Sequence, residues 1–403
     1  MVKPCVTFDD IRNLVQEIYG LTVTSAKQLD GYDDANFFIQ VGQGSDNANI
    51  PAPAPDGYVL KISHGKFTSH SEQLKVQNEL MHCLSGQLGP VQVPIPQATK
   101  ESKTLGYVDL PMRDAGTTGG TPVTSKHIIR LYSFIPGSMM SSVKCEPSAE
   151  TLMDIGVLAA RLVQTFSGCD GDARFAGVLS TASSMLWSLE GICAGYLEPL
   201  LQAVDNPLKL EIFRDIIGKF RRQMSESSPF LERGIIHGDI NEGNVLLNRA
   251  ADGEDWMLNG LIDFGDLHQS CRIFELILAM MYMMLECFDK GTLDPIEAGG
   301  YVLAGYLSMH VISPAEIRML KIGIEARCVQ SLVIGLYTYK FEQPGNMYVL
   351  TTQTKGWAVL EKLYGMSERH LFGLWDKILL KALGREFFHT SSGTNLTISN
   401  LAN

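Results

Sequence analysis

The chain has 403 residues, 45% of them hydrophobic and 19% charged, which suits a soluble globular enzyme with two domains or lobes, each with its own core. Its net charge of -11 argues against the basic surface that non-specific nucleic-acid binding needs, and it would tolerate cationic small molecules. The eight cysteines form no Cys-x-x-Cys pair and no His cluster supplies a zinc spacing, so reduced thiols in a cytoplasmic protein are expected.

No leader peptide is expected, because Asp9 and Asp10 precede any apolar run. Residues 8–20, FDDIRNLVQEIYG, place Ile11, Leu14, Val15 and Ile18 at helical spacing before a glycine stop. Strand-like pieces follow in TVTSAKQLD, FFIQV and GYVLKIS, and the Gly/Pro/Asn-rich stretch 42–57 reads as a floppy hairpin loop. Residues 71–89 read as a helix, 105–112 and 126–137 as two more strands, and the segment between those strands as a flexible loop. From about residue 146 the texture turns helical, with segments at 148–166, 207–224, 272–286, 314–337 and 370–383. The run Leu276–Leu285 is the longest apolar stretch. It is far short of the roughly 20 residues that span a bilayer, so it predicts a buried helix and no membrane association. A small strand-rich part (1–135) therefore precedes a larger helical one (136–403), with a hinge near Pro136 and Gly137.

One strand-like interruption, 235–263, breaks the helical part. The polar loop HGDINEGN (237–244) sits between Ile235-Ile236 and Val245-Leu246-Leu247, and such loops often carry chemistry. After Val245–Asn248, the turn signal Asp252-Gly253 and the strand WMLNGLI predict a hairpin that returns Asp263 toward Asn244 and Asp239. Two carboxylates and an amide oxygen at one end of a hairpin are hard ligands, suited to Mg²⁺ rather than zinc. A carboxylate left off the metal can take a proton from an attacking hydroxyl.

HGDINEGN followed by DFGD resembles the aminoglycoside-phosphotransferase family, a branch of the protein-kinase-like fold that phosphorylates small hydroxylated molecules. The resemblance spans roughly residues 8 to 385. It implies an α+β, two-lobed fold: a small N-terminal lobe with an antiparallel sheet and one helix, and a larger, mainly helical C-terminal lobe. Gly238 stands where protein kinases carry an arginine, and no Ala-Pro-Glu follows Asp263; both departures point away from a protein substrate. More narrowly, GYDDANF, YVLKIS, VQN, IIRLYSFIPG, HGDINEGNVL, GLIDFGD and QSLVIGLY resemble the hydroxylysine-kinase group of that family, which uses GTP as donor.

Carried onto this sequence, the resemblance makes Asp239 the base, Asn244 and Asp263 the Mg²⁺ ligands, and His237 a brace for the loop. Lys61 would grip the donor's phosphates. The acid that family members pair with it falls on Gln77, with Glu79 as the acidic alternative. No Gly-x-Gly-x-x-Gly separates the first two strands, so Asp33, Asp34 and Asn36 would serve there as donors to the nucleotide. Val59 would pack on the purine, and the backbone of Tyr132, Ser133 and Phe134 would face the base. Asp266, Glu242 and Glu275 are expected to meet the acceptor's amines, and Arg327 with Gln330 its carboxylate. Homoserine, choline, ethanolamine or aminoglycoside kinases are the rival readings within the class. A nucleotide-binding pseudokinase scaffold is the rival outside it, opposed by the joint presence of Lys61, Asp239, Asn244 and Asp263.

Overall fold

The computed structural model describes residues 4, 6–29, 34–63, 71–111, 124–172, 174–175, 179, 185–250, 253, 255–288, 290–385, 387–389 and 397–398. Its Cα positions divide into two compact units, residues 1–86 with 92–136 and residues 87–91 with 137–403.

The first unit is built on an antiparallel five-stranded sheet of β1 (Leu21–Leu29), β2 (Ala35–Ser45), β3 (Tyr58–Ile62), β4 (Gly106–Pro111) and β5 (Thr124–Ser133), in the order β1-β2-β3-β5-β4. Helix α1 (Phe8–Tyr19) is closed at its start by a Thr7/Asp10 capping box and ended by Gly20 at φ 65°. Its Ile11, Val15 and Tyr19 join Leu21, Val23, Phe37, Ile39, Leu60 and Ile62 in one core. A second helix, α2 (Ser71–Leu84), buries Val76, Gln77, Asn78, Leu80, Met81 and Leu84.

The stretch 42–57 is not floppy. β2 runs on to Ser45, and Asn47, 2% exposed, donates Nδ2 to the Ala98 carbonyl (2.9 Å) while its Oδ1 accepts the Asn49 N–H (2.9 Å). Asn49 in turn donates to the Thr99 carbonyl (2.9 Å). Asparagine side chains satisfying backbone groups take the place of ladder bonds here, which composition alone reads as disorder.

In the second unit β6 (Ser138–Met139), β8 (Val245–Arg249) and β9 (Trp256–Leu261) form a small sheet in the order β6-β8-β9. β7 (Arg233–Ile236) pairs separately with β10 (His268–Cys271). Around them lie α3 (Ala149–Ser167), α4 (Leu189–Cys193), α5 (Pro207–Ser227), α6 (Ile273–Cys287), α7 (Pro295–Met309), α8 (Pro314–Tyr337), α9 (Thr351–Tyr364) and α10 (Glu368–Leu383). Every residue of α6 is buried, which is what a helix apolar on all sides requires, and Met280, Met281, Met283 and Met284 fill the core as expected. Helices α7 and α9 were absent from the periodicity reading. No helix among the described residues is long and apolar enough to cross a membrane.

Candidate functional site

The loop between β7 and β8 is shaped by Gly238, the glycine of its two that has a positive φ. Gly238 has φ +82°, and a Cβ there would stand 2.7 Å from His268 Cε1 and 2.9 Å from the Asp266 carbonyl. An arginine at this position would need both the left-handed backbone and that space. The loop's far end is closed by the β8–β9 hairpin, where Val245 pairs with Leu261 and the Ile262 N–H donates to the Asn244 carbonyl (2.9 Å). Asp252 of the expected turn lies outside the described residues.

Within this frame Asp239 is held on all sides. Its Oδ2 accepts from Asn241 Nδ2 (2.8 Å) and Asn244 Nδ2 (2.8 Å), and Asn244 also donates to the Asp239 carbonyl (3.0 Å). Its Oδ1 faces Arg327 at 3.6 Å. Burial pushes the Asp239 carboxyl above its ordinary range; the Arg327 guanidinium and the two amides oppose that, and the charge of Asp263 adds to it. A carboxylate whose affinity for a proton is raised by burial is a stronger base than an exposed one.

His237 is buried and pulled down to about 4, chiefly by desolvation, so it is a neutral imidazole. Its Nδ1 accepts the Asp239 N–H (3.3 Å) and its ring meets Phe264 edge-on at 4.6 Å. Asp263 is one of two described non-glycine residues with positive φ (62°), a backbone that stores strain, and its side chain accepts from the Gly265 N–H (3.4 Å). Asn244 turns its amide nitrogen to Asp239, so its Oδ1 is the side-chain atom that would face a metal. Asp263 and Asn244 thus supply two hard oxygens, and no cage of three or more His, Cys, Asp or Glu residues forms among the described residues. That donor set fits Mg²⁺, which keeps water and phosphate oxygens as its remaining ligands.

The expected acceptor residues divide. Glu242 shares the loop with Asp239: burial pushes its carboxyl up to about 7, and the charge of Asp239 acts on it. Asp266 is half-buried, and its carbonyl accepts His268 Nδ1 (2.6 Å). Two expectations are corrected. Glu275 does not face an amine; it is fully buried, its carboxylate accepts the N–H groups of His237 and Gly238, and desolvation pushes it up to about 8. It braces the loop from α6. Arg327 is 1% exposed and occupied: it donates to the Trp187 carbonyl, Gln330 Oε1 (2.8 Å) and the Tyr282 hydroxyl (2.9 Å), beside Asp239. Gln330 is likewise held, donating to the Leu186 and Ser188 carbonyls. Neither is open to a substrate carboxylate. Sequence reading left Asn241 unassigned and missed Tyr282 and Trp187; the one signal was a lone tyrosine among the methionines of α6.

The first unit carries a separate candidate surface. Along β3, Tyr58, Leu60 and Ile62 are buried while Val59 and Lys61 share the other face, as alternation predicts. Asn36 and Arg130 lie directly opposite Lys61, and Phe38 opposite Val59. Phe38 also meets Phe134 at 4.5 Å between rings, making an apolar face that sequence reading did not anticipate. Gln77 is buried and Glu79 half-buried on α2.

Two nucleotide expectations change here. Asp34 pairs with Arg130 (2.7 Å), inside a network in which Arg130 also reaches Ser63 and Tyr132, and the Tyr132 hydroxyl donates to Asn78 (2.9 Å). The Ser133 and Phe134 N–H groups donate to the Ile95 (2.9 Å) and Gly57 (3.1 Å) carbonyls, so neither amide is open to a base. Asp33 lies outside the described residues.

Residues 26–309 match the phosphotransferase enzyme family (APH). The hydroxylysine kinase of Xenopus laevis is 28% identical over 380 residues, covering 93% of this chain and 94% of that protein. The homoserine kinase of Allorhizobium ampelinum is 23% identical over 313 residues, covering 77% and 84%. Among solved structures, a microcompartment-associated aminopropanol kinase shares the fold with TM-score 0.59 at 14% identity, covering 89% of this chain and 98% of that one. The amicoumacin kinase hAmiN, in complex with AMP-PNP, Ca²⁺ and Ami, does so with TM-score 0.58 at 13% identity, covering 92% and 94%.

Proposed function

This chain belongs to the APH family of phosphotransferase enzymes, and on that premise we propose that it transfers the terminal phosphate of GTP to the side-chain hydroxyl of 5-hydroxy-L-lysine. That it is a small-molecule kinase acting on an alcohol follows from the family and its relatives. The observation that carries the finer reading is Asp239, gripped by two amides on one oxygen and faced by a guanidinium on the other, next to the carboxyl of Glu242. An acceptor that brings ammonium groups suits such an acidic surround.

The residue roles are proposals of the same standing. Asp239 orients the acceptor hydroxyl and receives its proton. Asn244 and Asp263 hold Mg²⁺, which would neutralise charge on the donor's phosphates. In the first unit Lys61 and Asn36 take phosphate oxygens, and Val59 with Phe38 offers the purine an apolar face. Gln77 or Glu79 steers Lys61, and Asp266 borders the acceptor. Support for hydroxylysine comes from the 28% identity to a hydroxylysine kinase over 93% of this chain, and GTP as donor rests on the resemblance of the sequence motifs to that group. A cytoplasmic setting suits cysteines that form no disulfide among the described residues.

Initial rates with 5-hydroxy-L-lysine, homoserine, choline, ethanolamine and an aminoglycoside, each with GTP and with ATP, test this. The pair hydroxylysine and GTP should exceed every other pair in kcat/KM by at least about tenfold, or about 1.4 kcal/mol. A larger value for homoserine would overturn the acceptor, and a larger value with ATP the donor.

A further inference from the structure

The two oxygens of the Asp239 carboxylate meet different surroundings. Oδ2 accepts from Asn241 Nδ2 and from Asn244 Nδ2, both at 2.8 Å. A carboxylate oxygen has about two acceptor positions, so Oδ2 is full. Oδ1 accepts no hydrogen bond among the described residues; it faces Arg327 Nη2 at 3.6 Å, on a side chain that is 20% exposed. Oδ1 is therefore the oxygen with a lone pair left for the acceptor's proton.

Arg327 is fixed where it stands by separate stretches of the chain. Nη1 donates to the Trp187 carbonyl and to Gln330 Oε1 (2.8 Å), and Nη2 donates to the Tyr282 hydroxyl (2.9 Å). The guanidinium carbon lies 5.3 Å from the ring centre of Trp187 and 5.4 Å from that of Tyr282, within reach of cation–π attraction. Gln330 is held in turn by the carbonyls of Leu186 and Ser188, each at 2.7 Å. Yet the guanidinium is not fully used. Its Nε is buried with no hydrogen-bond partner, and Nη2 stops beyond hydrogen-bonding range of Oδ1. Packing for stability alone would close that distance, because a hydrogen-bonded ion pair is the stronger contact. Kept at 3.6 Å, the cation attracts the carboxylate without occupying the lone pair of Oδ1.

We propose that Arg327 is a positioning residue for the phosphoryl transfer, its held guanidinium keeping Oδ1 of Asp239 placed and open for the acceptor's proton. This inference rests on Asp239 being the base of the proposed reaction. In that step the acceptor's O–H bond breaks and its proton goes to Oδ1. A bond forms from the acceptor oxygen to the donor's terminal phosphorus. The bond from that phosphorus to the bridging oxygen breaks, and its electron pair leaves with the nucleoside diphosphate. The buried arginine thus has a part in turnover rather than in acceptor binding, and Tyr282 and Gln330 are the side chains that hold it.

The test is Arg327→Met, made in the wild type and in the Asp239→Asn background. In the wild type, kcat with 5-hydroxy-L-lysine and GTP should fall at least about tenfold, while acceptor KM and nucleotide affinity stay within about twofold. In the Asp239→Asn background the same change should lower the residual turnover by less than about twofold, because a group that acts through Asp239 has nothing left to act on. An arginine that served packing alone would lower both backgrounds alike. Unchanged kcat in a folded Arg327→Met protein, checked by thermal unfolding, overturns the proposal. So does a rise in acceptor KM at unchanged kcat, or an equal loss in the two backgrounds. If that protein does not fold, Tyr282→Phe decides: freeing Nη2 should cost at least about threefold in kcat with both KM values kept, and an unchanged kcat overturns the proposal. Full turnover by Asp239→Asn itself removes the base, and the proposal with it. If homoserine turns over in place of hydroxylysine, only the acceptor is wrong, and the same comparison on homoserine judges Arg327.

Discussion

Asp239→Asn should lower kcat by about 10²–10⁴-fold, the usual contribution of a positioned base, while leaving nucleotide affinity nearly intact. An asparagine offers one acceptor where Asp239 uses two. Its amide must turn its nitrogen either toward the donors of Asn241 and Asn244 or toward Arg327. A stability loss of about 1–3 kcal/mol is therefore expected as well, from one mismatched buried contact. Arg327 would not be orphaned, because the Trp187 carbonyl, Gln330 Oε1 and the Tyr282 hydroxyl still accept from it. Turnover at saturating acceptor, a fluorescent-nucleotide titration and a thermal melt separate these effects. Unchanged turnover in the folded variant would remove Asp239 from the chemistry.

Asp263→Ala should abolish metal-dependent nucleotide binding, and Asp263→Gly should abolish it equally. The two differ in what they do to the backbone. At φ 62° an alanine keeps a strain of roughly 1–2 kcal/mol that a glycine does not feel. The glycine variant should therefore unfold at the higher temperature while binding no better. Nucleotide titrations with and without Mg²⁺, paired with melts, read both quantities. Retained Mg²⁺-dependent affinity in either variant would contradict the assignment of Asp263, whereas a melt in which alanine equals glycine would contradict only the strain.

The parts of this site that are local in sequence were legible, and the parts brought in from a distance were not. His237, Asp239, Asn244 and Asp263 lie within 27 positions of one another, joined by a hairpin whose pattern of Val, Leu and Trp around a glycine turn is a short-range signal. Arg327 was visible as a cation near the end of the chain, but nothing in its helix says that it turns inward to Asp239 and the carbonyl of Trp187. Glu275 likewise shows as an acid at the start of an apolar helix. Only the packing of α6 under the loop aims it at two backbone N–H groups.

Helix α7 was missed for a related reason. Gly299, Gly300 and Gly305 depress its helical signal, yet the helix needs them where it packs on Met284 of α6, Trp375 of α10 and Met153 of α3 in turn. A Cβ on Gly305 would stand 1.9 Å from the Met153 carbonyl, and one on Gly156 of α3 would stand 1.9 Å from that of Val302. Asn47 and Asn49 misled in the same way, since turn-forming residues were read as loose when their partners lie some 50 positions away.

The most direct measurement is the ³¹P NMR spectrum of the purified protein incubated with 5-hydroxy-L-lysine, Mg²⁺ and GTP. The account predicts a new phosphomonoester signal, coupled to the proton on the carbon that bears the hydroxyl, growing in step with GDP and absent with Asp239→Asn. GDP appearing with inorganic phosphate alone would contradict it, as would an ester formed at an undiminished rate by the Asp239→Asn protein.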